Sequence, residues 1–190
     1  MDCQPNNIKA DYQIIKKIYE SPNSLVYRAI LNPDRQFLIL KILKENYPTP
    51  SELNRYKQEY EITRSLNTDL IIRTYDLQRY ENSLVMYLED FGGKSLNLLM
   101  CDRQFTLKEF LSIAIKITEG LAAIHTANII HKDINPSNIV YNRETEELKI
   151  IDFGISSRLA RENQIVGNID RLEGTLAYIA PEQTGRMNRG

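Results

Sequence analysis

Asp133, Asn138 and Asp152 are the residues of this 190-residue chain whose types and spacing could do chemistry. The first two lie in the polar run His131-Lys132-Asp133-Ile134-Asn135-Pro136-Ser137-Asn138, and the third opens Asp152-Phe153-Gly154. These polar stretches interrupt three apolar runs, Ala127 to Ile130, Ile139 to Tyr141 and Leu148 to Ile151. A chain that folds back on itself as a hairpin between the last two runs would bring the three oxygen-bearing side chains together. Two carboxylates and an amide oxygen suit a hard cation such as Mg²⁺, and a cation so held suits a phosphate-bearing substrate. A lone carboxylate in such a loop is as readily a turn cap, so the weight lies on the joint spacing.

The elements that must position these residues follow from pattern. Tyr12 to Tyr19, Leu25 to Leu31 and Gln36 to Leu43 are rich in β-branched and aromatic residues and are separated by turn-formers, which predicts three antiparallel strands. Asn32-Pro33-Asp34 supplies the second of those turns. Thr49-Pro50-Ser51-Glu52 has the form of a capping box with Pro at the first helical position, opening a helix to about Leu66. Strands near Ile71 to Leu77 and Leu84 to Leu88 complete a five-stranded sheet with one main helix. Glu89 to Lys94 then breaks the pattern with Gly92 and Gly93, the first glycines of the chain. Thr106-Leu107-Lys108-Glu109 is a second capping box. Leu107, Phe110, Leu111, Ala114, Ile117, Leu121 and Ile124 follow it at helical spacing, a stripe that reads as a core face.

Composition excludes several classes. Lys and Arg (24) balance Asp and Glu (25) for a formal net charge of −1, which leaves nucleic-acid binding without an electrostatic footprint. No apolar stretch reaches the length of a bilayer span, and Met1 to Ala10 lacks the apolar core of a secretory signal, so no membrane partner is expected for this segment. Cys3 and Cys101 do not make a disulfide framework, which favours a reducing compartment and a cytoplasmic location.

His131 to Asn138, Asp152-Phe153-Gly154 and Ala180-Pro181-Glu182 together resemble the catalytic loop, the metal-binding triplet and the Ala-Pro-Glu segment of protein kinases. The resemblance runs from Tyr12 to Gly190 and implies an α+β, bilobal kinase-like fold. Its N-lobe, residues 12–88, is the five-stranded antiparallel sheet with one main helix. Residues 89–93 are the hinge, and residues 94–190 form a mostly helical, incomplete C-lobe. The implied function is ATP- and Mg²⁺-dependent phosphoryl transfer to a protein hydroxyl by a serine/threonine kinase in a signal-transduction protein. Asp133 matches the aspartate that orients the acceptor hydroxyl, while Asn138 and Asp152 match the metal ligands. Lys41 matches the third-strand lysine that meets the nucleotide phosphates, with Glu59 as its helical partner and Glu61 the fallback. Main-chain groups of Glu89 and Phe91 would bond the adenine edge, and Val26, Ile39 and Val140 fall where the ring is sandwiched. Thr175 matches the threonine that braces the catalytic aspartate, and Glu182 the glutamate that anchors this segment.

The departures from the family pattern are specific. The three positions of the glycine-rich phosphate loop hold Tyr19, Ser21 and Ser24 instead of glycine, which should weaken nucleotide clamping. Asn135 stands where the family has a lysine against the transferred phosphate, an uncharged amide in place of a cation. Lys132 replaces the arginine that grips a phosphorylated loop, and no Ser, Thr or Tyr lies between Ser157 and Thr175, so no phosphate switch is expected in that segment. These departures favour, as the second reading, a nucleotide-binding pseudokinase that acts as an interaction or sensing module. Kinase domains continue past Ala-Pro-Glu, so the expectation is a C-terminally truncated domain with part of the Leu107 to Ile124 helix left uncovered. Both ends of the chain resemble the N-terminal kinase module of large bacterial signalling proteins, which implies further domains of the same polypeptide.

Overall fold

The computed structural model describes residues 12–32, 35–44, 48–80, 82–158 and 174–181. The described residues form two compact units, one comprising those up to Tyr60 with Arg73–Asp90, the other Glu61–Ile72 with those from Phe91 onward.

In the first unit, the β-branched and aromatic runs become β1 (Tyr12–Glu20), β2 (Ser24–Leu31), β3 (Gln36–Leu43), β4 (Thr74–Tyr80) and β5 (Ser83–Glu89). All neighbours pair antiparallel in the order β1-β2-β3-β5-β4. Strand alternation sorts the side chains. Leu38, Leu40 and Ile42 pack on one face with Ala29, Val85 and Tyr87, while Leu43 on the other joins Leu84, Met86 and Tyr56. Tyr56 comes from helix α1 (Pro50–Ser65), whose start is set as its sequence dictates: the Thr49 N–H donates to the Glu52 carboxylate at 2.7 Å, and the Glu52 N–H to Thr49 Oγ1 at 3.3 Å. Pro33 and Asp34 of the expected second turn lie outside the described residues.

The fourth strand begins later than the sequence pattern predicts. Ile71 does not open it; Ile71 bridges Ile150 of the second unit in parallel, with the Ile72 N–H donating to the Ile150 carbonyl at 3.1 Å and the Ile150 N–H to the Leu70 carbonyl at 2.8 Å. Ile71 and Ile150 are both buried in that unit's core, a better place for two isoleucines than a half-solvated strand.

The second unit contains β6 (Lys94–Ser95), α2 (Leu96–Asp102), α3 (Leu107–Thr126), β7 (Ile129–Ile130), β8 (Ile139–Tyr141), β9 (Leu148–Ile150) and β10 (Ser157–Arg158). The first, fifth and sixth of these make a three-stranded antiparallel sheet, β6-β8-β9, and β7 pairs β10. Its core gathers Ile113, Ile124, Ile139, Leu148, Ile150 and Phe153, with Ile62, Leu66 and Ile71 from the preceding segment.

Helix α3 starts in the capping box Thr106–Glu109, and the stripe that the spacing picks out reaches the core only in its C-terminal part. Ile113, Gly120 and Ile124 are buried and Ile117 and Leu121 half-buried, whereas Leu107, Phe110, Leu111 and Ile115 are exposed. The helix is apolar on more than one side, and Gly120 is buried on the side that faces the core. A Cβ there would come within 2.9 Å of Ile150 Cδ1, so the helix meets β9 where its side chain is absent.

Candidate active site

The hairpin β8–β9 does for the polar residues what the apolar runs on either side of it require. Ile139 pairs with Ile150 and Tyr141 with Leu148, so the two ends lie side by side and the Ile151 N–H donates to the Asn138 carbonyl at 2.9 Å. Asn138 thus closes one end of the polar loop, while Asp152 lies two residues beyond the end of the other strand.

Asp133 is fastened on both carboxylate oxygens. Its Oδ1 accepts from the Thr175 N–H at 2.9 Å, the Thr175 hydroxyl at 2.8 Å and Asn135 Nδ2 at 3.1 Å, while Oδ2 accepts from Asn138 Nδ2 at 2.9 Å. Oδ1 is saturated, and Oδ2 keeps room for one further donor. Asn135, which sequence placed against the transferred phosphate, is buried: its amide also reaches Thr175 Oγ1 at 3.0 Å, and its oxygen accepts the Ser137 N–H at 2.8 Å. It acts as a brace between the loop and Thr175, a role its identity alone did not reveal. Gly174 makes the close approach possible, since it sits at φ +113° and a Cβ there would come 3.0 Å from the Lys132 carbonyl oxygen.

His131 anchors the loop from beneath. Its ring is 2% exposed and meets Phe153 edge-on with centroids 4.7 Å apart. Nε2 lies 3.0 Å from the Ile151 carbonyl, which can only accept, and Nδ1 receives the Asp133 N–H at 3.3 Å. The ring is therefore the neutral Nε2–H tautomer. Burial pushes its pKa down, against the opposing pull of the Ile151 carbonyl and the Asp152 and Asp133 carboxylates. Lys132 at φ 70° and Asp152 at φ 64° both occupy the left-handed region, two of five such non-glycine residues among those described, the others being Arg35, Asn128 and Glu146.

In the first unit, Lys41 and Glu59 form an ion pair at 2.6 Å with side chains 13% and 7% exposed. Glu61, the fallback partner, is exposed. Val26 pairs with Lys41 across β2 and β3, and Ile39 lies two residues along, so the three share one sheet face. Tyr19 is exposed, and the turn between β1 and β2 is closed on itself: Ser21 Oγ accepts the N–H groups of Asn23 at 3.3 Å and Ser24 at 3.0 Å and lies 3.0 Å from the Ser24 hydroxyl. Glu89 donates its N–H to the Arg73 carbonyl at 3.1 Å, and Arg28 holds the next residue, Asp90, in an ion pair at 2.5 Å.

In the second unit, the Phe91 carbonyl accepts from Asn142 Nδ2 at 2.7 Å. Val140 on β8 is half-buried, and a Cβ on Gly93 would clash with its Cγ1 at 2.7 Å and with the Phe91 ring at 2.8 Å. Glu182 and most of the segment between Ser157 and Thr175 lie outside the described residues.

The donor chemistry fits a divalent ion held jointly with phosphates. Both hydrogen bonds of the Asn138 amide nitrogen go to Asp133, at 2.8 Å to its carbonyl and 2.9 Å to Oδ2, which leaves the amide oxygen as the group to offer. Asp152 is exposed and carboxylate-bearing. Asn138 and Asp152 would offer such an ion two oxygens, with water or phosphate oxygens completing its shell.

A loop so braced, a lysine–glutamate pair between strand and helix, and a five-stranded sheet define a class, and comparison with known proteins supplies the family. The profile of the family described as "Protein kinase domain" matches residues 12–189, and the chain belongs to that family. Protein kinase domains in general use ATP together with a divalent metal ion. Among similar proteins are a "Probable serine/threonine-protein kinase" of Clostridium perfringens, 26% identical over 174 residues, covering 90% of this chain and 25% of the relative. Another of that description, from Bifidobacterium longum, is 27% identical over 180 residues, 92% of this chain and 23% of the relative. The serine/threonine-protein kinase PLK4 of Drosophila melanogaster is 30% identical over 183 residues, 95% of this chain and 23% of the relative. The chain therefore spans about a quarter of the length of these relatives. No helix among the described residues is long and apolar enough to cross a membrane.

Proposed function

We propose that the protein is a serine/threonine kinase that transfers the γ-phosphate of ATP to a protein hydroxyl, with Mg²⁺ as the metal, in a signalling polypeptide. The observation that carries this is the fastening of Asp133. A carboxylate with one oxygen saturated and the other short of one donor is prepared for a single incoming O–H, which is what orientation of an acceptor hydroxyl requires. Asp133 Oδ2 would receive that proton as the hydroxyl oxygen bonds to phosphorus and ADP departs. Asn138 and Asp152 would hold the metal, which when bound with the nucleotide neutralises charge on its phosphate oxygens. Lys41, kept charged and fixed by Glu59, would meet the α- and β-phosphates. The similar proteins are named serine/threonine-protein kinases, which supports serine/threonine over tyrosine as acceptor.

A second reading, the nucleotide-binding pseudokinase, is favoured by one observation. The closed turn at Ser21 and Ser24 spends on itself the amides that a glycine-rich loop turns toward phosphate. Transfer of labelled phosphate from MgATP to a generic protein acceptor, measured for the full chain and for Asp133→Ala, separates the two. The kinase reading expects a signal that Asp133→Ala lowers by about a thousandfold or more while nucleotide binding persists. Nucleotide binding with no Asp133-dependent transfer decides for the sensing module.

A further inference from the structure

Helix α1 is joined to strand β3 twice at a single residue. Glu59 reaches the Lys41 ammonium at 2.6 Å, and one turn earlier Tyr56 donates its hydroxyl to the Lys41 carbonyl, also at 2.6 Å. Positions three apart share a helix face, so the pair grips Lys41 by its tip and by its main chain. The Tyr56 ring is 5% exposed among Leu43, Leu84 and Met86, with Lys41 Nζ 6.0 Å from its centroid. A phenylalanine would fill that space equally well, so the hydroxyl is there for its bond. Because β3 lies between β2 and β5, the phenol adds to a carbonyl already inside a sheet and uses its second lone pair. Withdrawing α1 enough to separate Glu59 from Lys41 would strand the Tyr56 hydroxyl in an apolar cluster, a costly outcome.

We propose that Tyr56 is a positioning residue that holds Glu59 against Lys41, so that the ion pair stays assembled without an external switch. The proposal rests on the reading of Lys41 as the phosphate-binding lysine. The sequence from Arg158 to Gly174 agrees with it, for it contains no Ser, Thr or Tyr that a phosphate could use to move the helix.

The test compares the full chain with Tyr56→Phe and Lys41→Met, reading the KM for MgATP, the KM for the protein acceptor and the melting midpoint. Tyr56→Phe is expected to raise the MgATP KM about fivefold, the effect of one hydrogen bond, with the acceptor KM unchanged. Lys41→Met is expected to abolish transfer. A wild-type MgATP KM in Tyr56→Phe beside an inactive Lys41→Met overturns the proposal and leaves the lysine's role standing. Full transfer by Lys41→Met overturns that role and the proposal with it. A loss shared equally by both KM values and tracking a lowered midpoint means that the phenol serves only the fold, and also overturns it. Should Tyr56→Phe melt below the assay temperature, the MgATP dissociation constant measured in the cold, with the same fivefold criterion, decides.

Discussion

His131 shows how one buried ring sets the working pH range of the loop above it. Both nitrogens are engaged only if the imidazole is neutral, and burial lowers its pKa in the folded protein. An unfolded chain, with imidazole at its ordinary value of about 6.5, binds the proton more readily. The contribution to stability is therefore complete above that value and is lost as pH falls toward the folded-state pKa. The melting midpoint is expected to drop as the buffer is taken from about pH 7 to about pH 5. His131→Gln, uncharged throughout, should melt lower at neutral pH but show a flatter slope across the same interval. The carboxylates whose pKa is held near 2 cannot produce this window: Glu20, bonded by Lys17 and Lys44, and Glu109, bonded first by the Thr106 backbone and then by Arg103, release their contribution only in stronger acid. Sequence displayed the letters of this loop but not their partners. Asn135 looked like a lost cation; only the fold reveals an amide that ties Asp133 to Thr175, forty residues along.

At the scale of elements, what was legible was whatever local chemistry decides. Both capping boxes fall where Thr49 and Thr106 place them, because the bonds close within four residues. The buried face of α3 was legible in part: Ile117, Leu121 and Ile124 of the spaced stripe reach the core, but Leu107, Phe110 and Leu111 do not, since periodicity alone cannot choose between stripes on a helix that is apolar on several sides. The lone mid-helix Gly120 was the available signal. Ile71 went astray for a similar reason, its partner Ile150 being almost eighty residues away. Tyr56 is not singled out by the sequence pattern, although it stands one turn before Glu59. The turn between β1 and β2 yields a prediction of its own. Replacing Ser21 and Ser24 together by glycine removes the oxygen that occupies the Asn23 and Ser24 amides. Nucleotide affinity should rise, by about fivefold for one regained amide bond, as measured by titration calorimetry with MgATP. Unchanged or weaker binding would show that these amides do not face phosphate.

For the molecule as a whole, the described residues form two units with their own apolar cores. The formal net charge of −1 gives little repulsion between copies, and Phe110, Leu111 and Ile115 expose an apolar stripe on α3 at 58%, 49% and 57%. This 190-residue chain in isolation is expected to self-associate as concentration rises, and Phe110→Ser with Ile115→Ser to reduce that, as followed by light scattering. Residues spaced along the stripe do not enter the core of the second unit, so its melting midpoint should change little. One feature of the loop reaches beyond geometry. Among the described residues every donor that bonds the Asp133 carboxylate is uncharged, coming from two asparagines, a hydroxyl and a peptide group. Dissolved ions weaken attraction between full charges far more than contacts of this short-range dipolar sort. The scaffold around the Asp133 carboxylate is thus expected to keep its shape from dilute buffer to brine, and for the kinase proposed above any ionic-strength dependence of turnover would originate in how the anionic nucleotide and the acceptor protein arrive.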